Sequence, residues 1–389
     1  MAASLKAGVI GLGILGSQHA KLLRDRQEVD LVAVADLRRE VAEDVGGRLG
    51  AATYTDYATM LREHRLDLVV VATPDPLHRD PTIAALRAGV PNIVQEKPLA
   101  TTWEDALAIC EEVEKRKARL LVNFANRATP LDIATRYVTQ SGLLGRVVYG
   151  ESRLDDNISV PTKMWGDRTR DWAGGSSTAH FLLPHVVDLL RYYFAPAEVK
   201  EVYAISQREV LGYTPDVYDA FLTFDTGMKM RVKAEWIKHI DELVEFYMCF
   251  SGADGTLIYN KRGGFGTAPG WRANLSTALS EGELLKHQSA LLGLGANVAA
   301  LLHRPAPTTG TLTAGGGDLV PALEFRGLGY GEFMALPDRF VDAILQDSLE
   351  PSTWRGLGPL PTHIDGLKQT QITTAIVRSA ETGKVITLD

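Results

Sequence analysis

The chain has 389 residues, 45% hydrophobic and 23% charged, a globular composition that excludes a mainly disordered or collagen-like chain. At roughly 150 residues per domain the length suggests two to three domains. With 41 Lys and Arg against 48 Asp and Glu the net charge is -7, and such a mildly acidic surface does not attract phosphate backbones, so no nucleic-acid partner is expected.

Cys110 and Cys249 cannot form a disulfide framework; both lie in apolar patterned segments and read as buried thiols in a reducing compartment. The first apolar run, Ala7 to Leu15, is broken by Gly8, Gly11 and Gly13, unlike the h-region of a signal peptide. No window holds the ~18 consecutive apolar residues of a membrane span. A cytoplasmic protein without a membrane partner is expected.

In chain order, short apolar runs predict strands at Ala7–Ile10, Leu31–Ala35, Leu68–Ala72, Ile93–Gln95 and Leu120–Phe124, with a short segment near Ala52–Tyr54. Helical spacing lies between them. Ala106, Ile109, Cys110 and Val113 fall on one face, with Thr102 at the N-cap position. Ile83 and Leu86 mark another helix, with Gly89 suited to its end. Alternation of this kind predicts a parallel sheet covered by helices.

The first turn reads Gly11-Leu12-Gly13-Ile14-Leu15-Gly16, a G-x-G-x-x-G after a strand and before a helix. Gly11 permits the tight turn, Gly13 lets backbone approach a pyrophosphate, and Gly16 allows helix–strand packing. Asp36 closes the second strand 20 residues later, where a carboxylate accepts from the adenosine ribose. That carboxylate favours NAD, although Arg38 and Arg39 could hold the 2′-phosphate of NADP.

Three further motifs follow strand ends: Thr73-Pro74-Asp75-Pro76-Leu77-His78, Glu96-Lys97-Pro98 and Asn123-Phe124-Ala125-Asn126-Arg127. With the glycine turn, and with a last helix over 363–382 that begins at Asp365-Gly366-Leu367 and ends in Arg378–Lys384, this order resembles the Gfo/Idh/MocA oxidoreductases. The resemblance implies a Rossmann α/β dinucleotide-binding domain (1–128), then an α+β domain with a large, mainly antiparallel sheet for substrate binding and oligomerisation (129–389). It implies NAD as cofactor (NADP remaining possible), a small polyhydroxylated substrate and a homodimer or homotetramer. It also implies a cis Lys97–Pro98 bond and a substrate-binding, proton-transferring Lys97. The cofactor-binding set is then Gly11, Leu12, Gly13, Ile14, Leu15, Asp36, Leu37, Arg38, Ala72, Thr73, Pro74, His78, Glu96, Lys97 and Asn126.

From Pro130 the pattern changes. A helix is predicted from Leu131 to about Gln140, then strands at Val147–Arg153, Val199–Ser206, Tyr218–Phe224, Met228–Trp236 and Val244–Phe250, with a hairpin turn at Asp225-Thr226-Gly227. In the segment Gly174–Asp188 the family pattern is a glycine run, an Asp, a His four residues on and an Asp three further. His185 and Asp188 match the last two, and at i, i+3 on a helix the carboxylate could orient the imidazole. The first Asp falls on Phe181, a departure for which adjacent His180 is the candidate compensation. His185 is therefore a second catalytic candidate beside Lys97.

The loop expected over Asp155–Trp172 holds Asp156, Asn157, Lys163, Trp165, Arg168 and Arg170, a mix suited to a polyhydroxylated substrate, with Trp165 stacking on a sugar or the cofactor. The substrate set is Lys97, Asn157, Trp165, Arg168, His180, His185 and Asp188. Residues 261–330, rich in Gly, Pro and Thr, read as a long loop with a short helix at Leu284–Leu292. Gly315-Gly316-Gly317 is not a second dinucleotide motif, since no strand precedes it. No C-x-x-C, H-E-x-x-H or metal-spaced carboxylate run occurs, so no catalytic metal is expected.

These residues predict an NAD(P)-dependent dehydrogenase of a sugar or cyclitol alcohol. The alternatives are an NAD-dependent glycoside-cleaving enzyme using transient oxidation and elimination, and a non-catalytic cofactor-binding regulator.

Overall fold

The computed structural model describes residues 4–262, 270–303, 319–326, 334–350, 356 and 358–388. The first part alternates β1 (Leu5–Ile10), α1 (Ile14–Asp25), β2 (Val29–Ala35), α2 (Arg39–Leu49), β3 (Ala52–Tyr54), α3 (Tyr57–Glu63), β4 (Leu68–Val71), α4 (Arg79–Arg87), β5 (Asn92–Glu96), α5 (Trp103–Arg116) and β6 (Arg119–Asn123). The six strands are all parallel in the order β3-β2-β1-β4-β5-β6. Every residue of β4 is buried, as a strand covered on both faces requires. The predicted capping of α5 is present: Thr102 accepts from the Asp105 amide at 3.2 Å, and Ala106, Ile109, Cys110 and Val113 are buried.

The second part contains α6 (Pro130–Gln140), β7 (Val147–Asn157), α7 (Ser159–Lys163), α8 (Thr169–Gly175), α9 (Thr178–Phe181), α10 (Leu183–Phe194), β8 (Val199–Gln207), β9 (Val217–Phe224), β10 (Lys229–Lys238), β11 (Val244–Gly252), β12 (Gly255–Arg262), β13 (Gly270–Leu275), α11 (Glu281–Gly293), β14 (Val298–His303), β15 (Val320–Phe325), α12 (Ala335–Leu345), α13 (His363–Thr382) and β16 (Ile386–Thr387). Its ten strands run in the order β14-β15-β13-β12-β11-β7-β10-β9-β8-β16. Only the β7–β10 pair is parallel among those described. One face of this sheet packs on α6, α10 and α13 around residues such as Tyr193, Val232, Met248 and Ile376.

Three sequence expectations change. Residues 261–330 are not one long loop: β13, α11, β14 and β15 lie within them, while Gly315, Gly316 and Gly317 fall outside the described residues. Cys249 is not a core thiol; it alternates with buried Met248 and Phe250 and lies half-buried on the sheet's other face. Asp155, Asp156 and Asn157 end strand β7 rather than begin a loop.

The two parts share elements. Leu336, Phe340 and Val341 of α12 join the core beneath the parallel sheet, and Arg26, the residue after α1, bridges Asp338 (2.8 Å) and Asp342 (2.7 Å). α13 packs against both α5 and β8. A Thr362–Asp365 capping box starts it and left-handed Gly383 ends it. Among the described residues no helix is long and apolar enough to cross a membrane.

Candidate active site

The candidate site lies at the carboxyl ends of β1, β4, β5 and β6, where open parallel sheets bind ligands. Gly11 adopts φ of +88°, and a Cβ there would lie 2.6 Å from the Ala72 carbonyl oxygen. A Cβ on Gly16 would lie 1.8 Å from the Gly11 oxygen, whereas one on Gly13 would meet nothing within 4 Å. The turn is thus closed towards the protein and open above Gly13. No acidic side chain occupies the first turn of α1, so its free amides face that space without a competing anion. Leu12 takes part through its backbone, its side chain being buried, while Ile14 is exposed and Leu15 half-buried.

Asp36, at the tip of β2, accepts from the Leu12 amide at 2.9 Å. It also accepts from the Arg38 amide, Nε and Nη2, each at 2.9 Å. Burial alone would raise its pKa, but the Arg38 and Leu12 hydrogen bonds outweigh burial and hold the carboxyl below its ordinary range. Leu37 points away and is exposed. Open space over Gly13, a glycine cradle and an ionised carboxylate at the second strand end fit a dinucleotide.

The turns after β4 and β5 brace one another. His78 is buried, with Nδ1 2.7 Å from the Pro98 oxygen and Nε2 2.9 Å from the Thr73 oxygen. Burial lowers its pKa despite these partners. Both ring nitrogens of His78, expected at the cofactor, are engaged in holding the Thr73 turn against Pro98. Glu96 also departs from expectation. It is buried, 2.8 Å from His19 Nε2 and 2.8 Å from Asn123 Nδ2, and thereby fixes the strand end that carries Lys97. Burial opposes its ionisation, but the His19 contact and the Asn123 hydrogen bond keep its pKa below the ordinary value.

Lys97 follows, with a cis bond to Pro98. Its Nζ donates to the Phe181 carbonyl at 2.9 Å and lies 4.1 Å from the Phe181 ring centre, a cation–π arrangement. Burial lowers the Lys97 pKa, with Asp75, Glu96 and Asp156 pulling the other way. Phe181, at the position where the resemblance places an acid, is therefore the direct contact of the lysine.

Asn126 and His185 meet at 3.1 Å, Nδ2 to Nδ1. Asp188 does not orient that imidazole. It is buried and takes Arg127 Nε at 2.9 Å and Nη2 at 2.5 Å, and Arg127 reaches Asp365 at 3.0 Å. Asp188 is thus a strut between α10, the end of β6 and α13 rather than a substrate contact.

An aromatic wall closes the far side. Ring centres of Trp165 and Trp172 lie 4.0 Å apart, Trp172 and Phe181 4.8 Å, and Trp172 and Trp236 5.4 Å. Asp75 fastens this wall to the first domain by accepting from Trp172 Nε1 at 3.0 Å and from the Ser176 hydroxyl. Asp156, on the inner face of β7, accepts from Trp236 Nε1 at 3.1 Å. Burial pushes its carboxyl up to about 7.

Trp165 packs within this cluster, against Trp172 and Phe181. His180 has its Nδ1 2.9 Å from the Ser177 hydroxyl and its pKa lowered by burial. Asn157 does not join. Its amide donates to the Ile240 oxygen at 2.6 Å and its oxygen accepts from the Ser159 amide at 2.9 Å, so it caps the chain turn after β7. Arg168 is exposed on the segment before α8 and makes none of the contacts around Lys97. Roles for His19, Asp75, Trp172 and Trp236 escaped the sequence reading, and Asp156 stood only in a loop composition. Among the described residues no group of three or more His, Cys, Asp or Glu side chains is placed to hold a metal.

Two family profiles match the chain: "Oxidoreductase family, NAD-binding Rossmann fold" over residues 5–124 and "GFO/IDH/MocA C-terminal domain" over 134–258. Curated relatives include inositol 2-dehydrogenase of Acidothermus cellulolyticus, 32% identical over 56% of this chain and 62% of that protein. D-glucoside 3-dehydrogenase of Escherichia coli is 29% identical over 53% and 58%. The matches thus span about half to three-fifths of these relatives' lengths. Among solved structures, levoglucosan dehydrogenase in complex with NADH and levoglucosan has a TM-score of 0.75 at 20% identity, covering 99% of both chains. An NAD binding oxidoreductase from Klebsiella pneumoniae gives 0.71 at 21%, covering 100% of both. The parallel dinucleotide-type sheet, the E-K-P strand end and the second sheet agree with these matches: the chain belongs to the Gfo/Idh/MocA oxidoreductase family, with an NAD-binding Rossmann domain.

Proposed function

We propose that the protein is an NAD-dependent dehydrogenase acting on a secondary alcohol of a sugar, sugar derivative or cyclitol. The observation that carries this reading is Lys97: a buried amine at the carboxyl end of a parallel strand, its pKa lowered first by burial, held 2.9 Å from the Phe181 oxygen. When bound, the nicotinamide supplies the hydride acceptor. Lys97 takes the hydroxyl proton, and a pKa moved down towards neutrality suits that task. His185 accepts at Nδ1 from the Asn126 amide, so in its neutral form the ring presents Nε2–H as a donor to the substrate oxygen. The indoles of Trp165 and Trp172 offer apolar faces to the C–H side of a sugar ring. The names of the relatives, inositol, levoglucosan and D-glucoside dehydrogenases, support the substrate class.

NADH absorbance, followed with NAD and with NADP across sugars, glycosides and inositols, tests this. Reduction of NAD by at least one class is expected. NAD binding with no reduction anywhere in the panel would favour a non-catalytic binder, and aglycone release without NADH accumulation would favour the eliminating enzyme.

The assembly belongs to the same reading. Tyr149, Tyr203, Phe221 and Ile258 are all more than two-fifths exposed on the face of the second sheet that turns away from its helices. Pairing of that face across a two-fold axis would cover them, and native mass measurement should return a dimer or tetramer rather than 42.4 kDa.

A further inference from the structure

Three surfaces meet at the turn after β4. The Thr73 nitrogen sits against the glycine turn, 2.8 Å from where a Cβ on Gly11 would stand. His78 ties the turn to the Pro98 oxygen at 2.7 Å, next to Lys97. Asp75, between them in sequence, reaches across to the second part of the chain. It is 6% exposed, and its two carboxyl oxygens divide the work: Oδ1 accepts from Trp172 Nε1 at 3.0 Å, and Oδ2 accepts from the Ser176 hydroxyl. Pro76 packs at the same place, its Cγ 4.0 Å from where a Cβ on Gly175 would stand.

Trp172 is the hub of the aromatic wall. Its ring centre lies 4.0 Å from Trp165, 4.8 Å from Phe181 and 5.4 Å from Trp236. Phe181 in turn meets Lys97 twice, through its carbonyl at 2.9 Å and its ring centre at 4.1 Å. On the side of the second sheet the wall is tied by the Thr214 hydroxyl to the Ser176 oxygen at 3.1 Å, and by the Tyr213 hydroxyl to the Pro161 oxygen at 2.8 Å. Trp165, Trp172 and Phe181 are each only partly buried, so the wall is a surface rather than a core. An indole N–H can only donate, and a carboxylate oxygen opposite it fixes the rotation of the ring as well as its place.

Resting on the dehydrogenase reading, we propose that Asp75 is a positioning residue of the site: through Trp172 it sets the aromatic wall at the separation from Lys97 and the glycine turn that a sugar ring needs. Its carboxyl oxygens are already engaged, so it acts through the indole. The effect falls on polyol affinity, because a wall held in place before the sugar arrives needs no ordering on binding.

The test compares wild type with Asp75→Ala, Asp75→Asn, Trp172→Phe and the D75A/W172F pair. The probes are NADH for the cofactor and myo-inositol, levoglucosan and methyl glucoside for the polyol. Ala loses both acceptors, whereas Asn keeps an oxygen for the Trp172 N–H and offers its amide to the Ser176 hydroxyl. In D75A the polyol KM should rise about tenfold, the worth of one hydrogen bond to a charged group, with kcat and NADH affinity changed less than about threefold. D75N should recover most of the wild-type KM. In the W172F background D75A should add little, since the two changes remove one contact. Asp75→Ser, which leaves a hydroxyl in the buried space, carries the same expectations where D75A does not fold. A readout that needs no substrate is far-UV circular dichroism. Indoles as close as Trp165 and Trp172 give an exciton couplet, assigned by its loss in W172F, which D75A should weaken and D75N should keep.

A wild-type polyol KM in D75A with kcat and melting temperature falling together would mark Asp75 as merely structural and overturn the proposal. So would D75N as impaired as D75A, equal KM increases in both backgrounds, or a couplet of wild-type size in D75A. A wild-type protein inactive on every polyol would overturn the dehydrogenase reading instead, with the couplet still deciding whether Asp75 holds the wall.

Discussion

The Asn126 amide lies 3.1 Å from His185 Nδ1, while Asp188, one turn further along α10, is bound to Arg127. The two polar neighbours of the histidine therefore do different work. Asn126→Ala should let the imidazole rotate and lower turnover by up to about 100-fold, with little change in melting temperature. Asp188→Asn should instead destabilise the fold, by up to about 3 kcal/mol, since it leaves the buried Arg127 guanidinium with Asp365 as its only charged partner among the described residues. Thermal melts and steady-state rates of both variants separate the roles. A rate loss without destabilisation in D188N would return Asp188 to the chemistry.

The glycine turn gives a paired prediction. Gly16→Ala places a Cβ 1.8 Å from the Gly11 oxygen, so it should lower the melting temperature and NAD affinity together. Gly13→Ala meets nothing within 4 Å in the protein, so it should leave the melting temperature unchanged and weaken NAD alone. Calorimetric titration with NAD, beside thermal melts, distinguishes the two. Equal NAD affinity in G13A and wild type would remove the space above Gly13 from the cofactor site.

Arg38 competes with a ribose for Asp36, because its amide, Nε and Nη2 already donate to that carboxylate. Arg38→Ala removes the two side-chain donors. The kcat/KM ratio of NAD over NADP should then rise by about tenfold, the worth of one hydrogen bond to a charged group. A ratio that falls would mean that Arg38 helps to hold NAD.

Glu96 links stability to pH. Its folded pKa lies below the ordinary 4.5 because the His19 and Asn123 contacts outweigh burial. A lowered carboxyl contributes stability above its unfolded pKa and loses that contribution as pH falls through the folded one. Denaturant midpoints should therefore drop below about pH 4.5 in wild type, with a shallower drop in Glu96→Gln. Identical acid slopes would show that the buried His19–Glu96 contact carries none of the acid sensitivity.

The parallel sheet was legible because its signals are local. Four-residue runs such as Leu68–Val71 and the cap at Thr102 need no knowledge of distant partners. The glycine turn was legible for the same reason, while Lys97 was singled out through the family resemblance of the Glu96-Lys97-Pro98 motif. What escaped the sequence were pairings across long separations. His19 meets Glu96 77 residues away, and Asp75 meets Trp172 97 residues away. A helix i, i+3 spacing suggested that Asp188 serves His185, but the buried Arg127 guanidinium takes that carboxylate instead. Asp156 was hidden because β7 runs four residues beyond its predicted end at Arg153, and only strand alternation reveals which of two adjacent carboxylates faces the site. The Gly-, Pro- and Thr-rich composition of 261–330 concealed β13, β14 and β15, while the apolar run at Leu284–Leu292 did mark α11, which extends over Glu281–Gly293.

The most direct measurement compares NADH formation by wild type and Lys97→Ala on the best polyol from the panel, at saturating NAD, with NADH affinity measured on both. The proposed role predicts turnover reduced by at least about 100-fold in K97A with cofactor affinity retained. Wild-type turnover in K97A would contradict it.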